Sequence, residues 1–172
     1  YSRLANRSEE TTHQLLLESL NVFANEIRTH EGKKIKEAGD AVLAEFNSIT
    51  DAVNCAVNIQ LKMLSLNSNL AHDDKFKFRI GLHIGELIHG RDDIYGDGVN
   101  LTARIQDLAD PGGICVSNVV YEQVIGKSDL VFDDMGYHKV KNIDQPVHVY
   151  RAYDSNKTLA NKTSRSFDFE DF

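Results

Sequence analysis

Four short stretches of this sequence place side chains where they could do chemistry. The first is Lys36-Glu37-Ala38-Gly39-Asp40. Glycine permits a tight turn there, and Asp40 would project from its tip. A carboxylate so placed can hold Mg²⁺, a hard cation that takes oxygen ligands and shares its sphere with substrate phosphates. Gly-Asp is also ordinary turn chemistry, so both readings stand on this segment alone. The second stretch runs from Asp92 to Arg104, where a glycine-containing loop leads into a helical pattern. Asn100 and Arg104 are four residues apart, hence on one helix face. Exposed backbone N–H groups, an amide and a guanidinium on one side suit a polyanion whose charge spreads in a transition state. A capped helix start beside a surface arginine is the competing reading. The third is Lys139-Val140-Lys141-Asn142, where two lysines on a strand would share a face. Most such pairs are simply solvated. The fourth is Arg79, which alternates with apolar neighbours in Phe78-Arg79-Ile80-Gly81 and so lies on the polar face of a strand.

These groups need elements to hold them. Residues 8–30 read as a helix, because Leu16, Leu20, Phe23 and Ile27 recur at helical spacing and Ser8 can cap them. Gly32 ends that helix. Residues 33–37 and 41–46 read as strands of a hairpin around Gly39. Residues 48–66 form a second helix capped by Ser48, with Ala52, Ala56, Ile59 and Met63 on one face. Phe76, Phe78, Ile80, Leu82 and Ile84 alternate as a half-buried strand does. A short strand at 86–89, a polar loop at 91–98 and a helix at 99–108 follow. Then come a strand at 114–116, a helix from Ser117 to about Val124, and strands at 131–141 and 147–153. Mixed helices and hairpins of this order define an α+β domain, helices packed on a mainly antiparallel sheet. Residues 1–154 form that domain, and the polar stretch 155–172 reads as a tail or linker.

Composition removes several classes of function. A chain of 172 residues is one ordinary domain with enough core to need no disulfide staple. Net charge is -7 with no long basic block, which excludes sequence-independent binding of nucleic acid. No apolar run approaches a membrane span and no signal peptide is visible, which points to a cytoplasmic domain. Cys55 and Cys115 lack ligand spacing and read as buried free thiols. The Asn-X-Ser/Thr triplets at Asn6, Asn156 and Asn161 have no secretory context. There is no GxGxxG after a first strand and no GxxxxGK[ST], so a dinucleotide or P-loop protein is excluded.

In this order and spacing, the stretches closely resemble the class III adenylate/guanylate cyclase catalytic domain. The resemblance covers residues 1 to about 153. It rests on Tyr1-Ser2-Arg3, the run from Lys36 to Asp40, the run from Phe78 to Gly85, the run from Asp93 to Arg104, Pro111-Gly112-Gly113-Ile114 and Lys139-Val140-Lys141-Asn142. It implies a ferredoxin-like cyclase fold that makes a 3′,5′-cyclic nucleotide from a nucleoside triphosphate. By position, Asp40 resembles the second of two metal-binding aspartates, for two Mg²⁺ or Mn²⁺ ions per site. Lys36 and Asp93 resemble the adenine-reading pair. Adenine offers an acceptor at N1 and a donor at N6, which a lysine and a carboxylate complement, so the substrate expected is ATP. Asn100 and Arg104 resemble the pair that orients the ribose and steadies the transition state. Arg79 and Lys141 resemble the residues that hold the terminal phosphates.

The resemblance further implies a homodimer with two shared sites. Asp40 and Arg79 would serve from one subunit, and Lys36, Asp93, Asn100, Arg104 and Lys141 from the other. The family's first metal aspartate lies four residues before the aromatic that matches Tyr1, on an opening strand. The expectation is therefore that this strand and carboxylate precede the sequence in hand, and that regulatory domains lie outside it. A catalytically inactive, cyclase-like nucleotide-binding or dimerisation module is the alternative. An aspartate four residues before Tyr1 would favour the enzyme.

Overall fold

The computed structural model describes residues 9–71, 74–90, 94–141 and 143–154. Asp93, Asn142, the start of the chain and the tail after Asp154 therefore lie outside the described residues. Helix α1 (Glu9–Thr29) opens on Glu9 and Glu10 and closes on Arg28, matching charge to both ends of its dipole. It buries Leu16 and Ile27. A Cβ on Gly32 would run into the ring of Phe46, so glycine at the helix exit lets that ring close the corner. Strands β1 (Lys33–Ala38) and β2 (Ala41–Glu45) pair antiparallel. Their turn is Gly39-Asp40, with Gly39 at φ +63, where residues bearing a Cβ are strained.

Helix α2 (Ile49–Leu66) starts where the sequence predicts, with the Ser48 hydroxyl accepting from the Asp51 N–H at 3.2 Å. Glu26 of α1 is buried and pairs with Lys62 of α2, which ties the two helices together. The chain continues through β3 (Ile80–Leu82), β4 (Ile88–His89), β5 (Ile94–Tyr95), α3 (Asp97–Asp107), β6 (Ile114–Ser117), α4 (Asn118–Val124), β7 (Leu130–His138) and β8 (Val147–Asp154). The larger sheet has the order β3-β6-β8-β7. Its β3–β6 pair is parallel and the others are antiparallel. All four residues of β6 are buried, because both faces of the sheet are covered. Ala52, Val53, Ala56, Val120 and Val124 of α2 and α4 pack on Leu82, Val116 and Ala152. Ile105 and Ala109, from α3 and its exit, pack with Cys115 and Val149. Both cysteines are buried and free, and burial pushes Cys55 up to about 12 and Cys115 up to about 11. They stay protonated and unreactive at neutral pH.

Among the described residues, strand β2 pairs only with β1, and β3 only with β6, so the hairpin and the larger sheet are not joined by a ladder there. A groove of about 1310 Å³ is lined by residues 41–46 of the hairpin, residues 75–85, and Phe23, Ile27, Ala52, Ala56 and Ile59 of the helices. The long strand predicted over 76–84 is corrected by this. Among the described residues, only Ile80–Leu82 of this stretch have a ladder partner. Residues 75–79 satisfy their backbone otherwise: Phe76 exchanges hydrogen bonds with the Asn67 amide at 2.6 and 3.0 Å. The Phe78 carbonyl accepts from Gln60 Nε2 and the Gly112 N–H, both at 2.9 Å. The predicted alternation of faces survives, with Phe76 buried and Lys77 and Arg79 exposed.

Two further expectations change. The loop predicted over 91–98 includes β5, which pairs with β4. Strand β7 stops at His138, so Lys139 and Lys141 lie in the connection to β8 and do not share a strand face. Pro146 and the turn closed by Ile143 N–H on the Val140 carbonyl (3.2 Å) divert the chain there.

Asn67 is 6 % exposed and is the hydrogen-bond partner of both Phe76 backbone groups. Asn67→Leu keeps the branching of the side chain, at a larger volume, and strands both groups in an apolar setting. We expect a loss of about 2–4 kcal/mol in urea unfolding at unchanged m-value. A loss under about 1 kcal/mol would mean that water replaces the amide.

Candidate active site

The hairpin holds two of the predicted site residues. Asp40 is exposed at its tip, and Lys36 is exposed on β1, opposite Leu43 of β2. A register shift between Lys34 and Lys36 adds one residue to that strand and resets which way Lys36 points. Arg79 is exposed one residue ahead of β3. Lys36, Asp40 and Arg79 all line the groove between the sheets. Asn100 and Arg104 stand on α3, Lys141 on the β7–β8 connection, and none of the three is among its described lining residues. Asp93 lies outside the described residues. One chain therefore gathers Lys36, Asp40 and Arg79 along a groove that α3 also lines through Gly98, Val99, Thr102, Ala103 and Gln106, while Asn100, Arg104 and Lys141 are not among its lining residues.

Helix α3 is seated by direct backbone contact. A Cβ on Gly81 would lie 2.5 Å from the Gln106 nitrogen and 2.7 Å from the Thr102 carbonyl oxygen. No side chain can give way there. A second contact joins the loop after β3 to the start of α3: a Cβ on Gly85 would lie 3.0 Å from the Gly98 Cα. Gly96 sits at φ +136 at the helix N-cap position, with its added Cβ 3.0 Å from the Glu86 carbonyl oxygen. Glycines at 81, 85, 96 and 98 thus let α3 lie flat on β3 and the following loop. Asn100 and Arg104 inherit that placement. The glycine inside the 76–84 alternation was the available sequence signal, since glycine in a strand marks close backbone approach. Which backbone approaches is decided only in three dimensions.

Electrostatics at α3 leave Arg104 ready for use. Its guanidinium is 41 % exposed and meets Asp107 at 3.4 Å, a solvated pair of small strength. The helix start carries no side-chain cap, and Asp97 is the acid of its first turn.

Periodicity missed a second functional feature, the His83–Ser117 contact. The His83 ring Nδ1 lies 2.9 Å from Ser117 Oγ, joining the end of β3 to the start of α4. Ser117 sits at the predicted N-cap but makes no capping bond with its side chain, because its hydroxyl faces His83. His83 lines the groove, and burial holds its pKa below the ordinary 6.5. A cavity lined by His83, Arg79, Asp40 and Lys36 can take a polyanionic ligand with a hard cation.

Residues 2–152 match the family model for the adenylate and guanylate cyclase catalytic domain. The chain belongs to that family. "Putative adenylate cyclase 3" of Rhizobium meliloti (strain 1021) is 43% identical over 151 residues, covering 87% of this chain and 26% of that protein. "Adenylate cyclase" of Streptomyces coelicolor is 27% identical over 131 residues, covering 75% of this chain and 32% of that protein. The chain thus spans about a quarter to a third of these curated relatives. Among solved structures, the adenylate/guanylate cyclase/hydrolase from Silicibacter pomeroyi superposes with a TM-score of 0.75 at 32% identity, covering 81% of this chain and 82% of that one. The adenylyl cyclase CyaB from P. aeruginosa shares the fold, with a TM-score of 0.69 at 21% identity over 88% of this chain and 86% of that one. The α+β cyclase fold implied by the motifs is therefore the fold of this chain.

Two outcomes test the site's framework. Gly81→Ala forces the Thr102–Gln106 turn of α3 away from β3, and we expect at least a tenfold loss of cyclase activity with a lowered melting temperature. Unchanged activity would show that α3 tolerates the shift. The second concerns pH. A folded-state pKa held below 6.5 means that folded protein binds fewer protons than unfolded chain between the two values. That contribution to stability is whole above about pH 6.5 and is lost as pH falls through it toward the folded value. The stability of the wild-type chain should therefore fall more steeply than that of His83→Asn between about pH 7.5 and about pH 5.5. Parallel curves would remove His83 as the cause.

Proposed function

We propose that this domain is an adenylate cyclase. It converts ATP to 3′,5′-cyclic AMP and pyrophosphate, at sites shared across a homodimer. Membership of the cyclase family gives the reaction class. The observation that carries the shared-site reading is the separation of the candidate groups. Asp40 and Arg79 line one groove, while Asn100, Arg104 and Lys141 stand outside it. A second copy of the chain would bring the two sets together. Lys36 lines the groove beside Asp40, yet in this scheme it reaches the partner's nucleotide from an exposed strand face.

The roles follow from the chemistry of each group. Lys36 donates to adenine N1 and Asp93 accepts from the N6 amino group. Asn100 holds the ribose so that its 3′-oxygen lies in line with the α-phosphorus. Arg104 places planar N–H donors against the equatorial α-phosphoryl oxygens as charge builds on them. Its weak pair with Asp107 costs little to break. Arg79 and Lys141 hold the β- and γ-phosphates and stabilise the departing pyrophosphate.

The residues present fit a divalent cation in part. Among the described residues no group of three His, Cys, Asp or Glu side chains could hold a metal by itself. Magnesium needs only one or two carboxylates when phosphates and water complete its octahedron, and Asp40 can be one of these. When bound, Mg²⁺ or Mn²⁺ would neutralise phosphate charge and make the 3′-hydroxyl more acidic. A second reading is a cyclase-like module that binds nucleotide or dimerises without turnover. No described helix is long and apolar enough to cross a membrane.

The test uses the full-length protein with Mn²⁺ or Mg²⁺, given ATP and GTP separately. We expect cyclic AMP formed from ATP to exceed cyclic GMP formed from GTP by at least tenfold. Absence of both products would favour the non-catalytic module. Lys36→Glu with Asp93→Cys should abolish the preference for ATP, and an unchanged preference would overturn the base-reading pair. Asp40→Ala and Asn100→Ala chains, each inactive, should regain activity when mixed as heterodimers. Failure with heterodimers shown to form would overturn the shared site.

A further inference from the structure

The connection between β7 and β8 carries Lys141, and it is closed at its base by contacts that the motifs do not contain. Strand β7 bulges between Asp134 and Tyr137, with Gly136 at φ +76 inside the bulge. The bulge brings Asp134 and Tyr137 to the same side of the sheet as their cross-strand partners Tyr150 and His148. One carboxylate oxygen of Asp134 then accepts twice. It takes the Gly136 N–H at 2.7 Å and His148 Nε2–H at 2.6 Å. Those two bonds hold the Asp134 carboxyl below the usual carboxylate range, the His148 bond most.

The ring of His148 stacks on Tyr137 and meets Tyr150 at a tilt. Its centroid lies 4.5 Å from Tyr137 and 4.6 Å from Tyr150. Tyr150 stacks on Tyr121 of α4 at 3.9 Å, with planes only 7° apart. Tyr121 meets Phe132 edge-on at 5.3 Å. A continuous row of rings thus leads from the core under α4 to the base of the β7–β8 connection. On the strand's next residue, His138 Nε2 lies 2.9 Å from the Met135 carbonyl oxygen. Tyr137 is 73 % exposed, so the row ends in solvent and its last ring buries little area. A tyrosine kept in that position by stacking, beside a doubly used carboxylate, serves geometry more than core stability.

We infer that Asp134, His148 and Tyr137 form a clasp that positions the β7–β8 connection, and with it Lys141, for the triphosphate. The residues act as positioning residues, through Lys141, and touch no substrate. The inference rests on the reading that Lys141 binds the terminal phosphates. Lys141 has a long flexible stem, so the backbone that bears it must supply the order that its side chain lacks. A two-strand hairpin end is the part of a sheet that frays first. The bulge, the imidazole–carboxylate bond and the ring contacts oppose fraying within four residues of the strand's last pair, His138 with Val147.

The experiment uses the full-length dimer with Mn²⁺ and ATP. Amide hydrogen exchange is measured over the β7–β8 connection, and kcat and KM are measured in parallel. For Asp134→Ala and Tyr137→Ser we expect at least tenfold faster exchange in the connection, with exchange in β6 unchanged. KM should rise about fivefold or more while kcat changes by less than about twofold. Tyr137→Phe, which keeps the stack, should behave as wild type. In a Lys141→Ala background the KM effect of Tyr137→Ser should vanish, since the group that it positions is gone. Unchanged exchange in the connection would overturn the clasp. So would an undiminished KM effect in the Lys141→Ala background. If Lys141→Ala alone leaves KM unchanged, its phosphate role fails, while the exchange measurement still decides the clasp.

Discussion

Strand β3 and helix α3 meet through their backbones. Gly81 leaves no space between itself and the Thr102–Gln106 turn, where an added Cβ would lie 2.5–2.8 Å from three backbone atoms. At that separation rigid main chain faces rigid main chain, and no rotamer can absorb a change. Gly85 and Gly98 continue the contact toward the helix start. Arg79 enters β3 just ahead of this contact, and Asn100 and Arg104 leave α3 beside it. The groups assigned to two different sites of a dimer are thus carried on one stiff unit.

Around that unit the fold separates stiff and solvated parts. Strand β6 is buried on both faces, between the cluster under α2 and α4 and the cluster under α3. The groove is walled by the hairpin, residues 75–85 and faces of the helices, α3 included through Thr102 and Gln106. Its polar rim holds Lys36, Asp40, Arg79 and His83, while its interior is largely aromatic and aliphatic. A net charge of -7 is no obstacle to binding an anion, because the field at the rim is set by these few nearby side chains.

Most elements were legible in the sequence. Helical spacing located α1 and α2 to within a residue or two, and the Ser48 cap was readable because its partner lies three residues away. The Gly39-Asp40 turn was readable for the same reason. Failures came where the deciding partner was remote. The alternation was right about faces from Phe76 to Leu82, failed at the exposed Ile84, and was wrong about strand length, since pairing depends on a neighbour and not on the segment. The lysines at 139 and 141 were placed on a strand predicted to run to Lys141 that ends three residues earlier, at His138. Ser117 stood at a helix start, yet its hydroxyl went to His83, thirty-four residues away in sequence. The candidate site residues were named through an ordered set of motifs, because no single stretch distinguished a metal-binding aspartate from a turn aspartate.

The sequence by itself determined the inventory: which helices and strands form, which faces are apolar, and which charged groups stand at turns and helix starts. Those properties depend on residues within a few positions of one another, so a linear reading reaches them. The tertiary structure alone decided who meets whom. It set Gly81 against Thr102 and Gln106, His83 against Ser117, and Tyr137 and Asp134 around His148. It also divided the candidate site, with Asp40 and Arg79 in one groove and Lys141 outside it. These are contacts between distant segments, fixed by close packing and by the need to satisfy buried polar groups, and no local pattern encodes them.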